Sequence, residues 1–225
     1  MPHPLARLAA AMALAAAFFG AAAAPPLPAS LQGELDRAVV DYESGHHTEA
    51  ARAFDSLARR GVAAAQYDLA VMHLRGEVAR PDRARAAELL TQAAEGGFVT
   101  AQFMLAQALE NGEFGPRDLA RALYWYARAA EAGSTEAQVA MGTAYYLGRG
   151  APKDPAEAAR WYREAAKAGD VGAQYLLASM YEQGDGVARD LRLARYWYDV
   201  AAKNGDEAAP GKVKELDARL AAPPS

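Results

Sequence analysis

The residues able to do chemistry in this chain are few and scattered. Its 225 residues include no cysteine, which excludes thiolate nucleophiles, disulfide frameworks and cysteine-based zinc sites. The four histidines are His3, near the start, the pair His46-His47, in a turn, and His73, on a helical stretch. His46-His47 could touch a metal, but no third ligand stands beside the pair. Asp82, Asp118, Asp154 and Asp190 recur at one spacing. A carboxylate site would need them to converge, whereas each stands just before a helical run, where an N-cap accepts from free backbone N–H groups. Gly148-Arg149-Gly150 and Gly184-Asp185-Gly186 lack the Gly-Lys-Ser/Thr that completes a phosphate loop. Asp185 with Asp190 falls short of the ligand density of a calcium loop. This reading leaves no catalytic residue, no metal site and no cofactor.

What positions these residues is a repeat. Gly61, Gly97, Gly133, Gly169 and Gly205 fall on one 36-residue period, each closing a helical stretch and shortly followed, through Gly169, by Ala-Gln: Ala65-Gln66, Ala101-Gln102, Ala137-Gln138 and Ala173-Gln174. A fixed period of this length signals a helical repeat array, in which no unit can bury a core alone. We divide the chain into an atypical helix pair at 31–62, four units at 64–99, 100–135, 136–171 and 172–207, and a capping helix at 208–221. In the first pair, helices are expected at Leu31 to Ser44 and from about Thr48, as N-cap, to Arg60. Within each unit, a helix A ends at Gly76, Gly112, Gly148 or Gly184, where a left-handed residue is wanted. A loop then leads to the capping aspartate and to a helix B. Asp154-Pro155-Ala156-Glu157 approximates a capping box. Helix B carries Trp125-Tyr126, Trp161-Tyr162 and Trp197-Tyr198 among alanines, which reads as buried packing and leaves a sugar-stacking role as the alternative. His73 stands where later units have Tyr145 and Tyr181, a packed substitute.

Residues 1–23 read as a secretory signal peptide, with Arg7 in the n-region, an apolar run from Leu8 to Phe19, and a cut after Ala23. The run is too short and alanine-rich for a comfortable membrane span, although an uncleaved anchor is the alternative. Residues 24–30, with Pro25-Pro26-Leu27-Pro28, form an extended tether. The expected protein is periplasmic or secreted. Net charge is −4, and −5 once the leader with Arg7 is removed, which argues against nucleic acid as the main partner.

The phrase Ala-Gln-Tyr-Leu-Leu-Ala-Ser-Met-Tyr-Glu-Gln-Gly-Asp-Gly-Val at 173–187, with Asp190, Ala194, Trp197-Tyr198 and Ala201-Ala202, resembles the Sel1-like repeat, a relative of the tetratricopeptide repeat. Ala137 to Gly150, with Asp154, Ala158, Trp161-Tyr162 and Ala165-Ala166, matches equally well. The units at 64–99 and 100–135 depart from the pattern at Val78 and Phe114, where the second loop glycine is absent, and the first also lacks Trp-Tyr. The resemblance implies an all-α solenoid of antiparallel helix pairs coiled into a right-handed superhelix. It also implies adaptor or scaffold activity, in exported members often tied to the cell envelope. A branch with a disulfide in each repeat is linked to penicillin binding, and the lack of cysteine here blocks transfer of that activity.

By analogy with tetratricopeptide arrays, the face of helix A opposite the core lines a concave groove. At about 100° per residue, it presents Tyr67, Val71 and Arg75 in the first unit and Phe103, Gln107 and Asn111 in the second. The third contributes Thr143 and Tyr146, and the fourth Tyr175, Ser179 and Glu182. The rings at 67, 103 and 175 either pack against a neighbouring repeat or anchor an extended or helical peptide. The expectation is a monomeric, non-catalytic adaptor that binds a protein or peptide partner through this groove, without a stable membrane span after cleavage. The alternative is an envelope glycan- or peptidoglycan-associated module with weak hydrolytic activity.

Overall fold

A computed structural model describes residues 27–221; the expected leader, residues 1–23, lies outside the described residues. The described residues form eleven α-helices and no strand. They are α1 (Ala29–Glu43), α2 (His47–Arg59), α3 (Ala63–Arg75), α4 (Arg83–Glu95), α5 (Val99–Asn111), α6 (Leu119–Glu131), α7 (Thr135–Leu147), α8 (Pro155–Lys167), α9 (Val171–Gln183), α10 (Leu191–Lys203) and α11 (Ala209–Ala221). None is long and apolar enough to cross a membrane. The chain forms two compact units, the first running to Ala132 and the second beginning at Gly133. Within each, successive helices pack against one another. The fold is an all-α helical repeat.

Local chemistry explains the helix ends. Asp82, Asp154 and Asp190 each accept two backbone N–H bonds from the first turn of the helix that follows, and Asp118 accepts one from Arg121, so all four aspartates are N-caps. Gly76, Gly112, Gly148 and Gly184 close α3, α5, α7 and α9 at φ between +70° and +79°. There a side chain would crowd the following carbonyl. Glu157 turns away from the expected capping box and pairs with Arg160 at 2.9 Å, because the Asp154 N–H already donates to the Tyr145 carbonyl. In the first repeat, His73 takes over a comparable task. Its Nδ1 accepts the Asp82 N–H at 3.2 Å, the role that the Tyr145 and Tyr181 carbonyls fill for Asp154 and Asp190.

The first pair departs from expectation at both helix starts. The helix α1 begins at Ala29, so residues 29 and 30 of the expected tether are helical, while residues 24–26 lie outside the described residues. Thr48 lies inside α2, and its N-cap is His46, which makes no side-chain cap bond. The turn is tight: the N–H groups of Ser44, Gly45 and His46 all return to α1 carbonyls, and the His47 ring stacks on Tyr42 at 5.1 Å. Those contacts draw the helix start ahead of Thr48.

The Ala-Gln motif is a staple across the joints at Gly61, Gly97 and Gly169. The Nε2 groups of Gln66, Gln102 and Gln174 donate to the carbonyls of Ala58, Ala94 and Ala166 at 3.1–3.2 Å, with all three glutamines buried. These carbonyls lie in the last turn of a helix B, where intrahelical partners run out. Alanines at the facing positions are wholly buried, among them Ala93, Ala129, Ala165 and Ala201. In the second unit, Tyr162, Leu177 and Met180 fill the space between α7, α8 and α9, and Tyr198 and Leu216 that between α9, α10 and α11.

The second loop glycine has a packing reason. A Cβ on Gly186, at φ +70°, would stand 2.1 Å from the Pro155 carbonyl oxygen, so this loop lies flat on the start of α8. At the corresponding place in the second repeat, Phe114 instead lies under the Arg83 guanidinium at 5.9 Å, and Arg83 donates to the Glu113 carbonyl at 3.1 Å. Gly186→Ala combines left-handed strain with a backbone clash and should destabilise the second unit by about 2 kcal/mol or more. A lowered urea midpoint with unchanged helicity at zero denaturant is the expected reading.

Candidate partner-binding face

Helices α3 and α5 carry the expected face in the first unit, and α7 and α9 in the second. The three rings at one repeat position are half-buried rather than free. Tyr67 tilts against Phe98 at 5.1 Å, Phe103 against Tyr126 at 5.7 Å, and Tyr175 meets Tyr198 edge-on at 4.9 Å. Each ring thus uses one side for packing and keeps the remainder accessible.

In the second unit, much of the expected face is engaged. Glu182 was expected to meet a partner, yet its carboxylate accepts from Arg219 at 2.7 Å, Tyr198 at 3.1 Å and Lys212 at 3.3 Å. Burial pushes the Glu182 carboxyl up, and these three donors outweigh it and hold the group below the usual range. Glu182 is therefore the anchor of α11, a correction that follows from helix α11 folding over it. Thr143 Oγ1 lies 3.1 Å from the Tyr162 hydroxyl, and Ser179 accepts from Gln183 at 3.1 Å. Tyr146 stays half-buried under Lys153 at 5.4 Å, its hydroxyl pushed up by a hydrogen bond to Asp185.

The first unit is more open. Phe103, Gln107 and Asn111 run along α5, with only Asn111 exposed and its Nδ2 3.5 Å from Glu113 Oε1. On α3, Tyr67, Val71 and Arg75 come together at a cavity of about 130 Å³. Val71 is only 7% exposed, so it is a wall of this cavity and not the projecting contact expected. Val39 and Tyr42 of α1 and Phe54 of α2 close the other sides. Arg75 is fixed at the rim: its Nη1 donates to the Tyr42 hydroxyl at 2.8 Å and stands 4.0 Å from Glu77, to which Tyr42 donates at 2.9 Å.

Asp68 also lines this cavity. It makes no hydrogen bond or ion pair among the described residues, and burial pushes its carboxyl up to about 7. Burial and the neighbouring Asp68 charge push the Tyr67 hydroxyl up to about 12. The helical face count passed over Asp68, although a signal existed. The positions one, two and three periods on are Met104, Ala140 and Leu176, so an acid stands where the repeat otherwise places apolar side chains.

The helix pairs, glycine joints and Trp-Tyr positions meet one family. A Sel1 repeat model matches residues 63–98, 99–134, 135–170 and 171–206. The chain belongs to the Sel1 repeat family. Sel1 repeat proteins generally act as protein-interaction scaffolds and are typically non-catalytic. No curated protein matches the chain. Among solved structures, it is similar to a protective antigen of uropathogenic Escherichia coli strains, at 30% identity and a TM-score of 0.74 over 83% of this chain and 41% of that one. It is also similar to a Sel1 repeat protein from Oxalobacter formigenes, at 31% identity and a TM-score of 0.71 over 83% of this chain and 58% of that one. The chain therefore spans less than two thirds of either relative.

A carboxyl raised from its unfolded value of about 4 to about 7 favours the native Sel1 array below pH 4, and that contribution is lost as pH rises toward 7. Asp68→Asn should therefore be the more stable form at pH 8, by about 1–2 kcal/mol, and should lose this advantage at pH 4. Urea midpoints of the two proteins at both pH values check the sign.

Proposed function

We propose that this Sel1 repeat protein is an exported, non-catalytic adaptor that acts as a monomer in the periplasm or outside the cell. It holds a protein partner, through an extended or helical peptide, against its helix-A faces. The observation that carries this reading is the cavity on α3, where Tyr67, Val71 and Arg75 frame an apolar recess. Partly packed rings beside a recess with polar rims are the makings of a binding hot spot, because the anchor's desolvation and ordering costs are already met in part. Family behaviour as interaction scaffolds supports it further. The alanine-rich run before Ala23 supports export, and N-terminal sequencing of exported protein should begin at Ala24; a start at Met1 would overturn that step.

Crosslinking and mass spectrometry on tagged mature protein in envelope extract should return one dominant protein partner. Replacing Tyr67, Phe103 and Tyr175 by alanine should weaken its capture at least tenfold while helicity survives. Enrichment of glycan or muropeptide without any protein would sink the adaptor reading.

A further inference from the structure

The cavity on α3 has chemistry that selects its occupant. We propose that it is the receptor for one basic side chain, lysine or arginine, of a partner peptide, with the stem against Val39, Phe54 and Val71 and the cation at Asp68. This rests on the adaptor reading and names the side chain that the partner must supply.

Three observations support a cation over the other occupants. The first is charge. Asp68 and Glu43 are the acids of the lining and Arg75 is its base, with Glu77 a third acid beside Arg75. Arg75 is held at the rim by Tyr42, whereas Asp68 makes no ion pair or hydrogen bond among the described residues. An anion entering the recess would meet Asp68, and an apolar side chain would seal that carboxylate away without a partner; a donor cation both bonds the carboxylate and neutralises its charge. The second is shape. A recess of about 130 Å³ is well below the ~300–1,000 Å³ of pockets for drug-sized ligands and suits a single side chain. Long basic side chains also pair an apolar stem with a charged head, which matches apolar walls that end at an acid. The third is the break in the repeat. The matching positions Met104, Ala140 and Leu176 are apolar, so packing of the array does not require an acid at Asp68.

The test is a titration of the full mature chain, followed by amide NMR shifts, with the N-acetyl N-methylamides of lysine, arginine, norleucine and glutamate as probes. Lysine and arginine derivatives should shift amides of residues 39–75 saturably. Norleucine and glutamate derivatives should bind at least tenfold more weakly, and Asp68→Asn should weaken the basic probes by a similar factor while Asp68→Glu retains part of the binding. Equal or tighter binding of the norleucine or glutamate derivative would overturn the proposal, and so would basic probes unaffected by Asp68→Asn. The probe series decides the matter in unmodified protein should Asp68→Asn fail to fold. With a captured partner in hand, capture that survives Asp68→Asn but is lost in the Tyr67, Phe103 and Tyr175 variant sinks the basic anchor and leaves the adaptor reading standing. Saturable binding of the basic probes in a protein that captures no partner sinks the adaptor reading instead.

Discussion

The stacking within each unit depends on a buried hydrogen bond across the glycine joints at Gly61, Gly97 and Gly169. A glutamine one turn into helix A donates to a carbonyl in the last turn of the preceding helix B, as Gln66 does to Ala58, Gln102 to Ala94 and Gln174 to Ala166. Each carbonyl already accepts the N–H of the joint glycine, Gly61, Gly97 or Gly169, at 3.0–3.2 Å, and the glutamine adds a second donor that also satisfies its own buried amide. The glycine turns the chain, the alanines let the backbones close, and the amide sets how far one helix sits from the next. Asn204 completes the last of these joints by donating to Gln174 Oε1 at 3.0 Å.

From that constraint follows the division of labour between the two helices of a repeat. Helix B supplies the bulk, with Trp161 and Tyr162 buried among fully buried alanines, and its tyrosine hydroxyls reach helix A for partners: Tyr126 to Glu110 at 2.8 Å and Tyr198 to Glu182 at 3.1 Å. Burial and those neighbouring carboxylates push both hydroxyls well above the ordinary tyrosine range, so they act as fixed donors. Helix A is then left with one face committed to the core and one face free to vary. Variation there separates an open recess at Asp68 in the first unit from a closed ion cluster at Glu182 in the second.

Much of this was legible in the chain itself. The joints, the left-handed glycines, the capping aspartates and the buried pairs Trp125-Tyr126 and Trp161-Tyr162 were placed by period and residue type, whereas in the last pair Tyr198 is buried and Trp197 only half-buried. The candidate face was legible as positions but not as surfaces. Val71 proved to be a wall, the rings at 67, 103 and 175 half-packed, and Glu182 the seat of α11. Asp68 was overlooked because the face was drawn by angle alone, where a comparison with Met104, Ala140 and Leu176 would have exposed it.

In the four repeats the sequence by itself determined where helices start, stop and recur, because caps, glycine turns and helical periodicity are set by atoms within a few residues of one another; in the first pair, without a capping side chain, it missed both starts. The tertiary structure alone decided which of the outward positions remain available. That question turns on partners distant along the chain: Arg219 reaches Glu182 from 37 residues away, and Tyr42 meets Arg75 from 33. Whether a carboxylate finds a partner depends on what the fold brings beside it, and at Asp68 the fold brings Val39, Phe54, Val71 and Met72 while Arg75 is held by Tyr42.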